Sequence, residues 1–384
     1  MMNILFYCNG FPDPQLGGIQ SVTYTLGWGF TSLGHQCYCA YFEDSPIESM
    51  PFNKCIYLAN SIQKEIELRN FLIENKIDVL INQSLHIAAN VSLLNKVSHG
   101  ISCKIFTVYH TFPGRKIYAS NIPVVGVKSL IKRILFPFYR QWAESKEEKT
   151  IKEALSFSNA CILLSDSYKT KFCDYFHISN TLNFKFTSIP NPSRYAYTNK
   201  SNIYGKKKEV LIVARLEEKS KRISTAIKIW QQVEKTEKAK GWILRIVGSG
   251  PNELDYVNLV NKSNITTVIF EGQQKNPLRY YEHASIFMMT SAYEGWPMTV
   301  IEAMQNGVVP IVFNSYSAVY DILTDEEDGI IIENNDIKNY ADRLAALMED
   351  NVLREKMAKN AITKVQNFCV DKIVEQWLTV FNNF

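Results

Sequence analysis

The chain has 384 residues, of which 46% are hydrophobic and 21% are charged, and its formal net charge is +4. This length favours two domains of ordinary size, and the composition is that of a folded globular protein, which excludes a predominantly disordered chain. So small a positive charge does not by itself indicate nucleic acid binding, and we expect no nucleic acid partner.

The cysteines and the apolar runs of the chain indicate where it works. Its 8 cysteines are scattered and have no zinc-binding spacing, so we predict no metal site. Reduced, structural cysteines of this kind are typical of a cytoplasmic protein. The first residues lack the features of a signal peptide, and no apolar run reaches the roughly 18 residues of a membrane span. We therefore expect a cytoplasmic protein.

Short apolar runs alternate with segments of helical periodicity in the first half of the chain. The predicted strands are Asn3–Cys8, Val79–Asn82, Ile105–Val108 and Ala160–Leu164. The predicted helices include Ser21–Leu33 and Glu65–Asn75. Continuous apolar strands that alternate with helices indicate a parallel sheet covered on both faces.

The second half repeats this alternation. Its predicted strands are Val210–Val213, Ile243–Val247, Val268–Phe270, Ile286–Met289 and Val308–Val312. Its predicted helices include Ser224–Lys235 and Tyr340–Met348. Two such blocks in succession predict an α/β fold of two Rossmann-like, doubly wound domains.

Prolines and polar residues mark the boundary between the two blocks. Pro190 and Pro192 lie in Ile189–Ser193, and the polar stretch Tyr197–Lys208 follows as a predicted linker. We therefore predict one domain over residues 1–193 and another over 205–369. The final segment, 370–384, has an apolar stripe at helical spacing that needs a partner surface, and we expect this helix to complete the first domain.

Residues 115–140 differ from their surroundings because basic residues are mixed with aromatic and aliphatic ones, without any Asp or Glu. One interpretation is a helix that packs its apolar side on the core of its own domain. The other is a segment that lies on an anionic membrane surface, with Lys128, Lys132 and Arg133 against the lipid headgroups. The sequence leaves both open.

The segment after the predicted strand Ile286–Met289 carries the most chemical information. A loop with Glu294 and Pro297 leads into a predicted helix in which Pro297 suits the first turn. Glu302 lies in that helix among apolar residues, so its carboxylate needs hydrogen-bonding partners, which a ribose diol would supply. The loop and the first helical amides together suit an anionic phosphate.

Glu294 and Glu302 are eight positions apart, in a pattern that resembles the Glu-x7-Glu motif of glycosyltransferase family 4, including its members in bacterial surface-polysaccharide synthesis. The resemblance implies a GT-B fold, in which two Rossmann-like domains face each other across a cleft. It also implies that Glu294 contacts the donor sugar and Glu302 the nucleotide ribose. Gly295, Trp296 and Pro297 are then predicted to line the substrate site.

Two cations follow the first strand of the second block. Arg215 stands at the end of Val210–Val213, the edge where doubly wound folds bind ligands, and Lys219 and Lys221 come shortly afterwards. In the family that the motif resembles, an Arg and a Lys at these places bind the diphosphate. The spacing favours Lys221 over Lys219.

Three further predictions rest on the same resemblance. Gly17 and Gly18 form a loop that is similar to the family's donor-facing glycine loop, and His110 is similar to its histidine near the reacting carbon of the sugar. Gly248 lies in a turn that resembles the one beside the nucleotide base. This turn lacks the third glycine of a dinucleotide fingerprint, since Glu253 stands there, which disfavours a nicotinamide oxidoreductase.

The resemblance predicts a retaining hexosyltransferase that moves a sugar from a nucleotide diphosphate sugar, UDP-sugar above all, to a saccharide or lipid-linked saccharide. Its products would be surface polysaccharides such as lipopolysaccharide, made at the inner face of the cell membrane. The absence of an Asp-x-Asp motif predicts a metal-independent reaction without a cofactor. Two alternatives remain: a catalytically silent scaffold subunit, and a sugar-nucleotide epimerase or phosphorolytic enzyme on the same fold.

Overall fold

The computed structural model describes residues 1–15, 17–43, 51–59, 62–114, 135–179, 182, 185–195 and 203–384. The chain divides into two compact units: Met1–Pro190 together with Val374–Phe384, and Asn191–Ile373. The second unit therefore begins within the proline-containing segment that the sequence analysis marks as the boundary.

The first unit is built on a parallel sheet. Its described strands are β1 (Asn3–Tyr7), β2 (Gln36–Tyr41), β3 (Lys54–Tyr57), β4 (Val79–Asn82), β5 (Lys104–Tyr109), β6 (Ala160–Leu163) and β7 (Phe186–Ser188), in the order β3-β2-β1-β4-β5-β6-β7. Its described helices are α1 (Gly18–Ser32), α2 (Lys64–Glu74), α3 (Ala88–Ser98), α4 (Phe136–Phe157) and α5 (Lys169–Tyr175). The strand order reverses between β1 and β4, which makes their carboxyl ends the switch point where such folds bind ligands.

The second unit repeats the architecture. Its strands are β8 (Glu209–Val213), β9 (Ile243–Val247), β10 (Val268–Phe270), β11 (Ile286–Met289), β12 (Val309–Phe313) and β13 (Ile330–Ile332), in the order β10-β9-β8-β11-β12-β13. Its described helices are α6 (Glu218–Lys221), α7 (Ile223–Val233), α8 (Glu253–Lys262), α9 (Leu278–His283), α10 (Met298–Gln305), α11 (Val319–Ile322), α12 (Ile337–Glu349) and α13 (Asn351–Val365). Here the switch point lies between β8 and β11.

The last helix, α14 (Val370–Asn383), belongs to the first unit from Val374 onward. The Phe381 ring lies 5.8 Å from that of Phe30 and 5.0 Å from that of Phe106. The Lys104 ammonium also donates to the Phe381 carbonyl at 2.8 Å. The apolar stripe of this helix is thus buried against α1 and β5, and burial of aromatic side chains contributes strongly to such packing.

The prediction of two parallel, doubly wound α/β domains is confirmed. Four strands were not predicted: β2, β3, β7 and β13. β3 is a partly exposed strand at one edge of the described sheet order, and β7 and β13 have only three residues each, so none of these carries a long apolar run. The sequence of β2, QCYCAY, mixes polar and small residues with apolar ones, so it has no continuous apolar run, although most of its residues are buried in the fold.

The predicted linker Tyr197–Lys208 is wrong in its last part. Residues 196–202 lie outside the described part of the chain, whereas the residues from 203 are bound to the second unit. The Lys206 ammonium donates to the carbonyls of Tyr281 at 2.9 Å and Asn306 at 2.7 Å. A lysine that bonds several partly buried carbonyls holds the chain in place, so this segment is part of the fold.

Candidate functional site

The carboxyl ends of β8 and β11 lie side by side at the switch point of the second sheet. The two strands pair in parallel, with Val210 opposite Ile286 and Leu211 opposite Phe287. Side chains that follow β8 and side chains that follow β11 are therefore brought to the same edge. Arg215 follows the first strand, and Glu294 follows the second.

At this edge Lys221 and Glu294 form an ion pair. The Lys221 ammonium lies 2.6 Å from the Glu294 carboxylate, and the two side chains are 25% and 13% exposed. Lys221 is the last residue of the short helix α6. An ion pair at this partial burial keeps both charges in a polar environment, where a substrate phosphate or hydroxyl can still approach either partner.

The loop that carries Glu294 is held by Arg222. The Arg222 guanidinium donates to the carbonyls of Thr290 and Ser291, both at 2.7 Å. The Thr290 hydroxyl returns a bond to the Arg222 carbonyl at 3.0 Å. Arg222 has a φ of 48°, a left-handed conformation that is unfavourable for a residue with a side chain. These bonds offset that strain, and nothing in the sequence pattern singled out Arg222.

Arg215 extends into solvent at the same edge. Its side chain is exposed and forms no hydrogen bond or ion pair with another described residue. The hydroxyl of Ser291 nearby is buried, also without a partner in the described part of the chain. The structure thus leaves donors at this strand edge that the fold itself does not satisfy, as at many anion-binding sites.

The loop between Glu294 and α10 differs in detail from the prediction. Helix α10 begins at Met298, so Pro297 precedes the helix instead of opening its first turn. Trp296 is buried and packs edge-on against Phe368 at 5.4 Å. Its ring therefore serves the core of the second unit. The predicted substrate contacts of Gly295, Trp296 and Pro297 stay predictions.

Glu302 is buried in α10 with a protein partner that the sequence did not reveal. Its side chain is 5% exposed, and the hydroxyl of Tyr281 donates to its Oε2 at 2.9 Å. The carboxylate therefore has a hydrogen-bonding partner within the protein, and the predicted contact of Glu302 with a ribose stays a prediction. Burial raises the pKa of Glu302 to about 7, although the Tyr281 hydrogen bond and the charge of Arg194 both act to lower it.

Gly248 is required by the path of the backbone. Its φ is 136°, and a Cβ at this position would lie 1.9 Å from the carbonyl oxygen of Ala214. The amide of Ala214 bonds the carbonyl of Val247 at 3.0 Å, and that of Leu216 bonds the carbonyl of Ser249 at 2.9 Å. The turn after β9 thus supports the segment that leads to Arg215. A contact between Gly248 and a nucleotide base stays a prediction.

In the first unit, Gly17 and Gly18 lie at the start of α1. Both are exposed, and the Gly17 carbonyl accepts the first helical bond, from Ser21 at 2.9 Å. A Cβ at Gly18 would meet no atom within 4 Å, so the fold itself does not require glycine there. Space is thereby left at a helix N-terminus, where amides attract negative charge.

His110 follows β5 and contacts a residue that follows β4. Its Nε2 hydrogen-bonds the side-chain oxygen of Gln83, and its Nδ1 is buried without a partner among the described residues. Burial lowers the pKa of His110 to about 3, with a smaller effect from nearby His86. The imidazole is therefore neutral at physiological pH, and Gln83 was not singled out by the sequence analysis.

A cavity of about 80 Å³ lies at the switch point of the first sheet. Its walls come from the loop after β1, the first turns of α1 and the loop after β4. The lining residues are Cys8, Asn9, Gly10, Pro12, Ile19, Gln20, Thr23, Gln83 and His86. Amide and imidazole groups dominate its polar lining, and the Nε2 donor of Gln83 has no partner in the described part of the chain.

The predicted membrane segment 115–140 falls mostly outside the described residues, since the structure describes it only from residue 135. Among the described helices, none has the combined length and hydropathy to cross a bilayer. His, Cys, Asp and Glu side chains do not converge in groups of three that suit a metal ion anywhere in the described ranges.

Two successive doubly wound units, with charged groups at the switch point of the second, agree with the GT-B fold that the resemblance predicts. Residues 193–364 match the model of the family described as glycosyl transferases group 1. The chain carries a domain of this family, and the prediction that it is a glycosyltransferase is confirmed.

Three curated relatives set this result in context. The chain is 29% identical over 251 residues to an uncharacterized glycosyltransferase of Haemophilus influenzae, over 64% of this chain and 69% of that one. It is 26% identical to a poly(ribitol-phosphate) alpha-N-acetylglucosaminyltransferase of Staphylococcus aureus, and the match covers 63% of this chain and 47% of that relative. It is 27% identical to the capsular polysaccharide biosynthesis glycosyltransferase CapM of Staphylococcus aureus, and the match covers 35% of this chain and 34% of that relative. In the latter two, less than half of the relative is matched.

A solved structure shares the fold over the whole chain. A variant of TarM from S. aureus, in complex with Fondaparinux, alpha-GlcNAc-glycerol and UDP, superposes with a TM-score of 0.77 and covers 100% of both chains. Its sequence identity is 14%, so the likeness establishes the fold alone.

Replacement of Gly248 by Ala should destabilise the second unit strongly, because the new Cβ would collide with the Ala214 carbonyl. We expect a loss of about 3 kcal/mol or more in the free energy of unfolding, measured by urea denaturation. Gly272→Ala is the matched control: its φ is also positive, 66°, but a Cβ there meets open space. Its cost should be about 1 kcal/mol. Equal losses in the two variants would contradict the role of this close approach.

Proposed function

We propose that this chain is a retaining glycosyltransferase that transfers a sugar from a nucleoside diphosphate sugar to a saccharide or lipid-linked saccharide in surface polysaccharide synthesis. The observation that carries the proposal is the pairing of Lys221 with Glu294 at 2.6 Å, at the switch point of the second sheet. A cation suits a diphosphate and a carboxylate suits sugar hydroxyls, and here the two stand side by side.

The donor would be bound mainly by the second unit. Glu302 binds the ribose, Arg215 and Lys221 bind the diphosphate, and Glu294 accepts hydrogen bonds from the sugar. The exposed guanidinium of Arg215, which pairs with no other residue in the described part of the chain, supports this assignment. UDP is the first nucleotide to test, because a solved protein of the same fold holds it.

The reaction would proceed on one face of the sugar. The bond between the anomeric carbon and the phosphate oxygen breaks, and its electron pair leaves with the nucleoside diphosphate. The acceptor oxygen forms the new bond on the same face and gives its proton to the departing phosphate. Arg215 and Lys221 stabilise the charge that grows on the leaving group, the usual way in which preorganised cations lower such barriers. No protonated histidine is needed, which is consistent with a neutral His110.

The same two cations are our reason to propose a reaction that needs no metal ion. They would neutralise the charge of the diphosphate, which a divalent cation does in metal-dependent enzymes. Chelation should therefore leave the rate unchanged.

The cavity of the first unit suits the saccharide acceptor. Its polar groups are amides, a hydroxyl and an imidazole, which exchange hydrogen bonds with neutral hydroxyls. The name of one relative supports a saccharide acceptor, since that protein acts in capsular polysaccharide biosynthesis. Another relative acts on poly(ribitol-phosphate), a surface polymer that also presents hydroxyl groups. The assigned roles of Gly17, Gly18 and His110 toward the sugar stay predictions.

We further propose that the segment 115–140 binds an anionic membrane surface. Its composition supports this, and so does the start of α4, where Phe138, Tyr139 and Trp142 are 72%, 50% and 59% exposed. Aromatic side chains beside basic residues are typical of interfacial segments. A lipid-linked acceptor would then be presented at that surface.

Glu294→Gln and Lys221→Met should each lower the transfer rate by about 10²–10³, because each removes a group that acts on the sugar or the leaving diphosphate. The measurement is the release of nucleoside diphosphate in the presence of a saccharide acceptor. Lys219→Met is the matched control, since it removes a nearby lysine without a proposed role, and its rate should stay near that of the wild type. A wild-type rate in Glu294→Gln would contradict the assignment of Glu294 to the donor site.

Replacement of Lys128, Lys132 and Arg133 by Glu should release the protein from vesicles that contain anionic lipid. Each basic residue near such a surface contributes about 1 kcal/mol, so the partition coefficient should fall by well over tenfold. A sedimentation assay measures it. The control carries the same charge change at the exposed residues Lys235, Lys240 and Lys262 of the second unit. Equal partition of both triple variants would return the segment to the interpretation of a helix packed on its own domain.

A further inference from the structure

Tyr281 contacts Glu302, the residue that is proposed to bind the ribose. It belongs to α9 and is fully buried, and its hydroxyl donates to Glu302 Oε2 at 2.9 Å. Among the described residues, Oε1 of Glu302 accepts no hydrogen bond. The carboxylate is thus held from one side by the protein, which leaves its second oxygen for another donor.

We propose that Tyr281 is a positioning residue: its hydroxyl orients the Glu302 carboxylate toward a nucleotide's ribose and keeps it ionised, so that nucleotide binding depends on pH near neutrality. The proposal rests on the proposed function of this site. It adds a residue and a pH dependence that the assigned binding groups do not include.

The support of Tyr281 comes from its own backbone. The partly buried ammonium of Lys206 donates to the Tyr281 carbonyl at 2.9 Å and to the Asn306 carbonyl at 2.7 Å. Asn306 in turn donates from its side chain to the Glu302 carbonyl at 2.8 Å. Lys206 therefore links α9 to the end of α10, and the distance between the phenol and the carboxylate is fixed by both helices.

Three ionisable side chains in the described part of the chain affect Glu302. Tyr281 belongs to α9, whereas Arg194 and Tyr195 belong to the segment before β8. The Tyr195 hydroxyl is buried without a partner among the described residues, while its carbonyl accepts a bond from Gln305 at 2.9 Å. Burial raises the pKa of Glu302 to about 7, and the Tyr281 hydrogen bond opposes this rise. Loss of the phenol hydroxyl must therefore raise the pKa of Glu302 further.

The affinity for a nucleotide depends on whether Glu302 is ionised. An ionised carboxylate accepts hydrogen bonds from two ribose hydroxyls, whereas a protonated one is a weaker acceptor. Affinity for a nucleotide should therefore fall as the pH drops through the pKa of Glu302. In Tyr281→Phe this fall should begin at a pH about one unit higher, because a hydrogen bond to a charged group is lost.

The experiment measures UDP binding by calorimetry between pH 6 and pH 9, in the wild type and three variants. The loss of UDP affinity in Tyr281→Phe should be smallest at pH 9, where Glu302 is ionised in both proteins and only its orientation is lost. The loss should be about threefold larger at pH 7.5 and close to tenfold larger below pH 7. Tyr280→Phe is the matched control: it removes the neighbouring phenol, which contacts Glu271 instead, and should follow the wild-type curve. Burial lowers the pKa of Lys206 to about 8, so this lysine and the phosphates of UDP also titrate in the measured range. Glu302→Gln keeps both of these titrations and should lack only the pH dependence that Glu302 causes.

A second measurement needs no ligand. The side-chain carboxyl carbon of Glu302, labelled with ¹³C and assigned with Glu302→Gln, should titrate by NMR near pH 7 in the wild type. Its midpoint should move upward in Tyr281→Phe and stay in place in Tyr280→Phe.

The outcomes separate the two levels of the proposal. An unmoved Glu302 midpoint in Tyr281→Phe, or UDP binding that this variant weakens equally at every pH, would overturn the role of Tyr281 while the donor site stands. A Glu302 midpoint that moves as expected in a protein that binds no UDP, GDP or ADP at any pH would instead overturn the proposed function, and the nucleotide part of this inference with it.

Discussion

The clamp between Arg222 and the end of β11 is the constraint on which the candidate site depends. Arg222 directly follows Lys221, and its guanidinium bonds the carbonyls of Thr290 and Ser291, just before Glu294. This tie brings together residues about seventy positions apart in the chain. Because the bonds end on backbone carbonyls, they fix the path of the loop independently of its side chains. The left-handed φ of 48° at Arg222 is tolerated because so many bonds determine it.

The two glutamates of the motif, Glu294 and Glu302, have different environments in the second unit. Glu294 is partly exposed and paired with Lys221, so its charge is balanced at the rim of the sheet. Glu302, eight residues on, is buried and is held by a phenol. Two acids of the same type are thereby given different chemistry, one near a cation and one in a desolvated pocket with its pKa raised to about 7. The Lys221 ammonium and the Glu294 carboxylate place opposite charges at one strand edge, which suits a ligand that has both phosphates and hydroxyls.

The sequence predicted the architecture well, because buried parallel strands have continuous apolar runs whose period is independent of tertiary contacts. The Glu-x7-Glu spacing singled out Glu294 and Glu302, and the position after β8 singled out Lys221; the structure places Lys221 beside Glu294, while their roles toward a substrate stay predictions. The sequence missed Arg222, Tyr281 and Gln83, because their importance arises from hydrogen bonds to residues distant in the chain, and no local pattern encodes those. The helix start at Met298 instead of Pro297 and the core position of Trp296 likewise depend on packing. Gly248 was predicted as a ligand contact, yet the structure gives it a backbone reason that a sequence alone does not reveal.

The central claim is that the second unit binds a nucleoside diphosphate without a metal ion. A thermal-shift screen against UDP, GDP, ADP and CMP, with and without EDTA, tests it most directly. A ligand that binds only the folded state raises the midpoint by an amount that grows with its concentration above Kd. Our account predicts that one diphosphate raises the midpoint in this way and that EDTA leaves the rise unchanged. No rise with any of the four, or a rise that EDTA abolishes, would contradict it.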